Sequence, residues 1–79
     1  ATAESILADY EKYHGIKVHG IAAKNILEMV NFHISGVFPN NFIDVIDEAM
    51  SGAKYEGETA ITMEEIKATI GRMSGHIIL

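Results

Sequence analysis

The sequence contains no cysteine, no tryptophan, one proline and only six lysine or arginine residues among its 79 residues. Without cysteine, the chain can form neither disulfides nor thiolate metal sites, and it has no cysteine nucleophile. Small cysteine-free domains are typical of the cytosol. The six basic residues stand against eleven acidic ones, and the resulting net charge of −5 argues against a phosphate-binding surface.

A long apolar run is missing as well. No stretch of the sequence approaches the ~18 consecutive apolar residues that a membrane-spanning helix needs. No basic segment precedes a shorter apolar stretch, as it would in a signal peptide. We therefore expect no membrane partner, no signal peptide and a cytoplasmic location.

Apolar periodicity is the strongest pattern that the sequence does contain. Apolar residues make up 48% of the chain and recur every three or four positions in four segments separated by glycine. The pattern predicts helices at about residues 3–14, 20–35, 41–50 and 63–74, with Gly52 ending the third. The predicted fold class is therefore all-α, a compact four-helix domain over residues 1–79.

The second predicted helix is apolar around most of its circumference. Its polar residues form a single narrow stripe, and they are Lys24, Glu28, Asn31 and Ser35. A helix of this kind must be covered on several sides. We therefore predict a buried second helix at the centre of the domain, with the other three helices around it.

Three shorter segments have local signals of their own. Between the second and third helices, Gly36, Pro39 and Phe42 are predicted structural turn residues, because Pro39 blocks helix continuation and Phe42 can fill the corner. Residues 16–18 are too short for a helix and are predicted to be extended. Thr62 followed by Glu65 predicts a capping box at the start of the fourth helix.

The histidines are the main candidates for chemistry. His33 lies in the apolar arc of the second helix, but no carboxylate shares its face, so we interpret it as a residue at the edge of the core. His14 and His19, with Glu11 one turn earlier, offer ligands that zinc or nickel accepts. The sequence has no closely spaced histidine pair on one helix, and we predict no metal site and no cofactor.

Motifs of an enzyme are lacking too. The sequence has no glycine-rich phosphate loop before a helix, no serine elbow and no pair of carboxylates expected to converge in a cleft. We therefore predict that the protein has no catalytic residues and is not an enzyme.

Two features predict a protein-binding surface. The first is a cluster of acidic residues that could attract a basic partner, or could simply be solvated helix faces; its candidate contact residues are Asp44, Asp47, Glu48, Glu56 and Glu58. The second is the apolar tail Ile77, Ile78 and Leu79. The tail either folds back, with a ladder to residues 16–18, or contacts another chain, and we favour a partner protein or a homodimer.

Part of the sequence resembles a known group of proteins. The order His19-Gly20, a helix, and then Gly36, Pro39 and Phe42 at the spacing Gly-x-x-Pro-x-x-Phe is similar to a group of small phage-encoded all-α proteins. The resemblance implies an origin in a phage or mobile element, with the host cytoplasm as the location.

The leading functional hypothesis is a small acidic protein-binding module, a phage or mobile-element regulator or inhibitor that binds a host protein, as anti-CRISPR proteins do. One alternative is a dimeric DNA-binding transcriptional regulator. The last helix offers only Lys67 and Arg72 for this role, so a nucleic-acid partner is not expected. The other alternative is a metal or ligand carrier that uses His14, His19 or His33.

Overall fold

The computed structural model describes residues 2–75. The elements follow one another as α1 (Ala3–His14), β1 (Lys17–Val18), α2 (Ala23–His33), α3 (Asn40–Tyr55), β2 (Ala60–Ile61) and α4 (Met63–Ser74). The all-α class is confirmed, since four helices dominate the described residues and each strand is two residues long. The first and fourth helices have the predicted bounds, while α2 is shorter and α3 longer than predicted.

Local signals explain why α1 and α4 were predicted so closely. Gly15 follows α1 in the left-handed conformation (φ 70°), and its N–H donates to the carbonyl of Glu11. Such a C-terminal cap is readily adopted only by glycine. The predicted capping box of Thr62 and Glu65 is present at the start of α4. Both helices are thus bounded by signals that lie within a few residues of their ends.

The prediction that Gly52 ends the third helix is wrong. Helix α3 passes through Gly52 and continues to Tyr55. The added turn buries Ala53, whose exposed fraction is 5%. A glycine inside a helix costs only about 1 kcal/mol relative to alanine, so burial of the next turn can outweigh it.

The helix at the centre of the domain is α3, and not the second helix as predicted. Helix α2 buries three residues on a single face, Ala23, Ile26 and Val30. Helix α3 buries seven, namely Asn41, Phe42, Val45, Ile46, Ala49, Met50 and Ala53. It contacts the other three helices and β2. A chain of this size can surround one helix only, and the sixteen-residue α3 is the longest.

Residues 16–18 are extended, as predicted, but they pair within the domain. Strand β1 lies parallel to β2, with Lys17 opposite Ala60 and Val18 opposite Ile61. The N–H of His19 also donates to the carbonyl of Ile61 at 2.9 Å. The predicted alternative partners, residues 77–79, lie outside the described residues.

The turn before α3 places Phe42 in the core. Pro39 immediately precedes α3, after a cis peptide bond from Phe38. Phe42 is fully buried, and its ring centroid lies 6.1 Å from that of Phe38. The neighbouring Asn41 side chain is also buried, and its amide donates to Oδ1 of Asn31 on α2 at 3.3 Å and to the carbonyl of Gly36 at 3.4 Å. The turn therefore connects α2 to the central helix by packing and by a side-chain hydrogen bond.

None of the helices within residues 2–75 combines the length and the apolar character that crossing a bilayer would require.

Candidate binding surfaces on the third helix

Two depressions flank α3, one towards α1 and one towards α4. The first, which we call the Tyr–Asp pocket, has a volume of about 550 Å³ and is lined by Asp9, Tyr10, Tyr13, Ile43, Asp44 and Asp47. The second, which we call the α3–α4 groove, has a volume of about 280 Å³. Its lining combines small residues with larger polar ones, namely Ala49, Gly52, Ala53, Tyr55, Glu56, Glu58, Glu65, Ala68, Thr69 and Arg72.

Helix periodicity explains how the Tyr–Asp pocket is assembled. On α1, Asp9 and Tyr13 are four residues apart, and on α3, Ile43 and Asp47 have the same separation. Residues at this separation lie one above the other on the same side of a helix. Because α1 packs directly against α3, the two sides meet and form the opposite walls of one pocket.

His14 connects the two walls of the pocket. Its Nε2 lies 2.9 Å from Oδ1 of Asp47, and its side chain is 8% exposed while that of Asp47 is 53% exposed. The His14 ring centroid lies 5.0 Å from the ring of Tyr13, edge to face, and 6.1 Å from that of Tyr10. The end of α1 is thereby tied to the middle of α3, and Asp47 and Tyr13 are positioned by the same imidazole.

The charge of the Tyr–Asp pocket is strongly one-sided. It is lined by three aspartates and by no lysine or arginine. Within residues 2–75, neither Asp9 nor Asp44 has a side-chain hydrogen bond or an ion pair. Carboxylates beside aromatic rings attract cations both by charge and through the ring faces. This arrangement can bind a positively charged group.

The α3–α4 groove differs because part of its charge is already used by the fold. The Glu65 carboxylate accepts hydrogen bonds from the hydroxyl and the backbone N–H of Thr62, and these bonds lower the pKa of Glu65. Arg72 donates to the hydroxyl oxygen of Thr69 at 3.3 Å. Both side chains therefore maintain α4, and the arginine supplies the groove with a cation of its own.

The structure distributes the predicted partner-binding residues over separate places. Asp44 and Asp47 lie in the Tyr–Asp pocket, whereas Glu56 and Glu58 lie along the α3–α4 groove. Glu48 is exposed on α3 and lines neither depression. Residues Ile77, Ile78 and Leu79 lie outside the described residues.

The α1 wall of the pocket is absent from the site residues that the sequence predicts. Asp9, Tyr10 and Tyr13 belong to the pocket, and Tyr13 is 79% exposed. The four-residue spacing of Asp9 and Tyr13 is a signal for a shared surface. It becomes informative only once α1 is known to pack beside Asp44 and Asp47.

The three histidines within residues 2–75 lie apart from one another. His14 bonds to Asp47, His19 is exposed after β1, and His33 is half-buried at the end of α2. In the part of the chain that the structure describes, no group of three or more His, Cys, Asp or Glu side chains could hold a metal ion.

Comparison with known proteins found a match to one protein family. The family model described as the AAA lid domain matches residues 3–77. No curated protein and no solved structure matches the chain. Because the match extends over nearly all of the 79 residues, the chain belongs to the AAA lid domain family.

Proposed function

We propose that this chain works as the lid of an AAA ATPase, a non-catalytic helical module that acts by binding protein surfaces. The observation that carries the proposal is the family match over residues 3–77. A lid acts through contact with the body that it covers, so its function depends on its surface. The prediction of an acidic protein-binding module is retained in this form, with a cytoplasmic setting.

The structure supports the proposal through the open depressions on both sides of α3. Each is large enough to accept side chains of a partner, and each is built from helices that a buried core holds in place. Rigid elements that present shaped surfaces are typical of protein-binding modules. The more specific roles, as a phage-encoded inhibitor, a DNA-binding regulator or a metal carrier, stay predictions that no described feature favours.

The test combines the chain with the AAA ATPase domain that, under this proposal, belongs to the same protein. The two are expressed separately and mixed. We expect the 79-residue chain alone to hydrolyse no ATP, to bind the ATPase domain with a Kd below about 100 μM, and to change its rate of ATP hydrolysis. Absence of both binding and a rate change at that concentration would contradict the proposal. ATP hydrolysis by the isolated chain would contradict its non-catalytic part.

A variant with a damaged core provides the matched control. Phe42 is fully buried, so Phe42→Ala should remove much of the folded population without changing the charge of the chain. Binding that depends on the folded surface must be weakened in this variant. Equal binding by wild-type protein and a largely unfolded variant would show that the association is unspecific and would overturn the proposal.

A further inference from the structure

We infer that the Tyr–Asp pocket binds an arginine side chain of a partner protein. The inference deepens the proposed function, on which it rests, because it assigns one contact surface and the chemistry of the group that enters it. The occupant is a guanidinium group on an exposed segment of the partner. Three properties of the pocket lead to this assignment: its aromatic wall, the carboxylates of Asp9 and Asp44, which have no side-chain partner within residues 2–75, and the position of rings and carboxylates on facing helices.

The aromatic wall is formed by two tyrosines of α1. Tyr10 packs against the core and Tyr13 is 79% exposed, yet both rings lie against the imidazole of His14. A large exposed ring that is supported from behind loses little conformational freedom when a partner covers it. Tyrosine rings attract cations, and arginine makes such contacts more often than lysine.

The carboxylates give the pocket its charge complementarity. Asp9 and Asp44 lack side-chain partners within residues 2–75, and only Asp47 is engaged, through one oxygen, by His14. Like-charged groups gathered around a pocket favour a cation between them. The α3–α4 groove contains Arg72 as an internal cation, and the Tyr–Asp pocket lacks an equivalent among its lining residues.

The combination of rings and carboxylates distinguishes arginine from lysine. A planar guanidinium stacks on an aromatic ring and donates paired hydrogen bonds to carboxylates at its edge, whereas an ammonium acts as a point charge. Here the tyrosines come from α1, and Asp44 and Asp47 come from the facing helix α3. A flat group between the helices can therefore contact both walls at once.

The experiment is a titration of the isotope-labelled 79-residue chain followed by NMR. Three otherwise identical peptides carry arginine, lysine or the neutral isostere citrulline at their central position. We expect the arginine peptide to give saturable shifts concentrated at Asp9, Tyr13, Asp44 and Asp47, with a Kd at least about twofold lower than that of the lysine peptide. The citrulline peptide should give no saturable shift. Equal binding of all three peptides, or of arginine and lysine, overturns the inference.

Matched variants locate the contact. Tyr13→Ala and Asp44→Asn should each raise the Kd of the arginine peptide about two- to fivefold, as expected for one cation–ring or charge contact. The control variants Tyr55→Ala and Glu58→Gln make the same chemical changes at the α3–α4 groove and should leave the Kd unchanged. Melting curves check that each variant remains folded. Equal losses in both pairs would overturn the assignment to this pocket.

Two further outcomes separate the inference from the proposed function. Binding to the ATPase domain without any binding of the arginine peptide would overturn the pocket assignment alone. Binding of the arginine peptide without any association with the ATPase domain would overturn the lid function alone. Shifts of the same pocket residues on simple concentration of the chain would assign the pocket to a second copy, and would overturn the choice of a different partner.

Discussion

The acidic residues on the two sides of α3 have different roles. Towards α4, Glu65 accepts hydrogen bonds from Thr62, and Arg72 bonds to the hydroxyl of Thr69. Towards α1, Asp9 and Asp44 face the Tyr–Asp pocket without a side-chain partner in residues 2–75. Glu65 and Arg72 on the first side therefore stabilise α4, whereas Asp9 and Asp44 on the second side remain available to another molecule.

The difference shows that an acidic residue cannot be interpreted from its charge and position alone. Glu65 follows a threonine that caps a helix, so its carboxylate has a structural task. Asp44 follows the half-buried Ile43 on α3. Its face of the helix becomes part of a pocket because α1 packs beside it. Hydrogen-bond partners, rather than the net charge of −5, separate the two roles.

The largest predicted effect is a loss of stability that disrupts the depressions on both sides of α3. Phe42→Ala removes a fully buried ring from the start of the helix that both depressions share. We expect a loss of about 3–5 kcal/mol in the free energy of unfolding, measured by urea denaturation. Phe32→Ala is the matched control because Phe32 is 83% exposed, and it should change stability by less than about 0.5 kcal/mol. Similar losses in the two variants would contradict the central position of α3.

A smaller effect is expected from a substitution that acts only on the α4 side of α3. Thr62→Ala removes the capping hydroxyl at the start of α4 and should lower the free energy of unfolding by about 1 kcal/mol in the same denaturation assay. The control is Thr59→Ala, because Thr59 is exposed and, within residues 2–75, only its backbone carbonyl forms a hydrogen bond, as the acceptor from the N–H of Lys17. If Thr59→Ala were as destabilising as Thr62→Ala, the capping interaction would not be the cause.

The capping carboxylate should also make stability depend on pH. The hydrogen bonds from Thr62 lower the pKa of Glu65 in the folded state, so its contribution is complete above the ordinary glutamate pKa and is lost as the pH falls. The stability difference between wild type and Glu65→Gln should therefore be larger at pH 7 than below about pH 4. Urea midpoints at the two pH values measure it. The control is Glu64→Gln, because Glu64 lies outside the capping box. Its stability difference from wild type should change less between the two pH values. An equal change would exclude the capping box as the origin of the pH dependence.

The smallest effect concerns the contact that joins the walls of the Tyr–Asp pocket. A double-mutant cycle with His14→Gln and Asp47→Ala should give a coupling free energy of about 0.2–1 kcal/mol, because Asp47 is 53% exposed and water screens the contact. A cycle with His14→Gln and Glu48→Ala is the control and should give no coupling, since no hydrogen bond or ion pair joins Glu48 to His14 within residues 2–75. Equal coupling in the two cycles would contradict a specific contact between His14 and Asp47.

Much of the fold could be predicted from local signals. Gly15 and the Thr62–Glu65 pair bound α1 and α4 within a residue, because a left-handed cap and a capping box act over three or four positions. The second helix was misplaced because its apolar circumference was taken as evidence of complete coverage. Phe32 instead remains 83% exposed on α2, since the remaining elements surround α3.

The candidate site was only half predictable. Asp44 and Asp47 were identified from their clustering on one helix, whereas Asp9 and Tyr13 belong to a helix more than thirty positions away in the sequence. No spacing rule connects residues on different helices. The contact of His14 with Asp47 could not be predicted for the same reason, because the two residues lie 33 positions apart on different helices.

The sequence by itself determined the number of helices, most of their ends and the excess of negative charge. These properties depend on periodicity, capping and composition, which act over a few neighbouring residues. Only the tertiary structure decided which helix lies at the centre and which carboxylates lack a side-chain partner within residues 2–75. Both depend on how helices pack, since burial is shared among all elements of the chain and a pocket exists only where two of them meet.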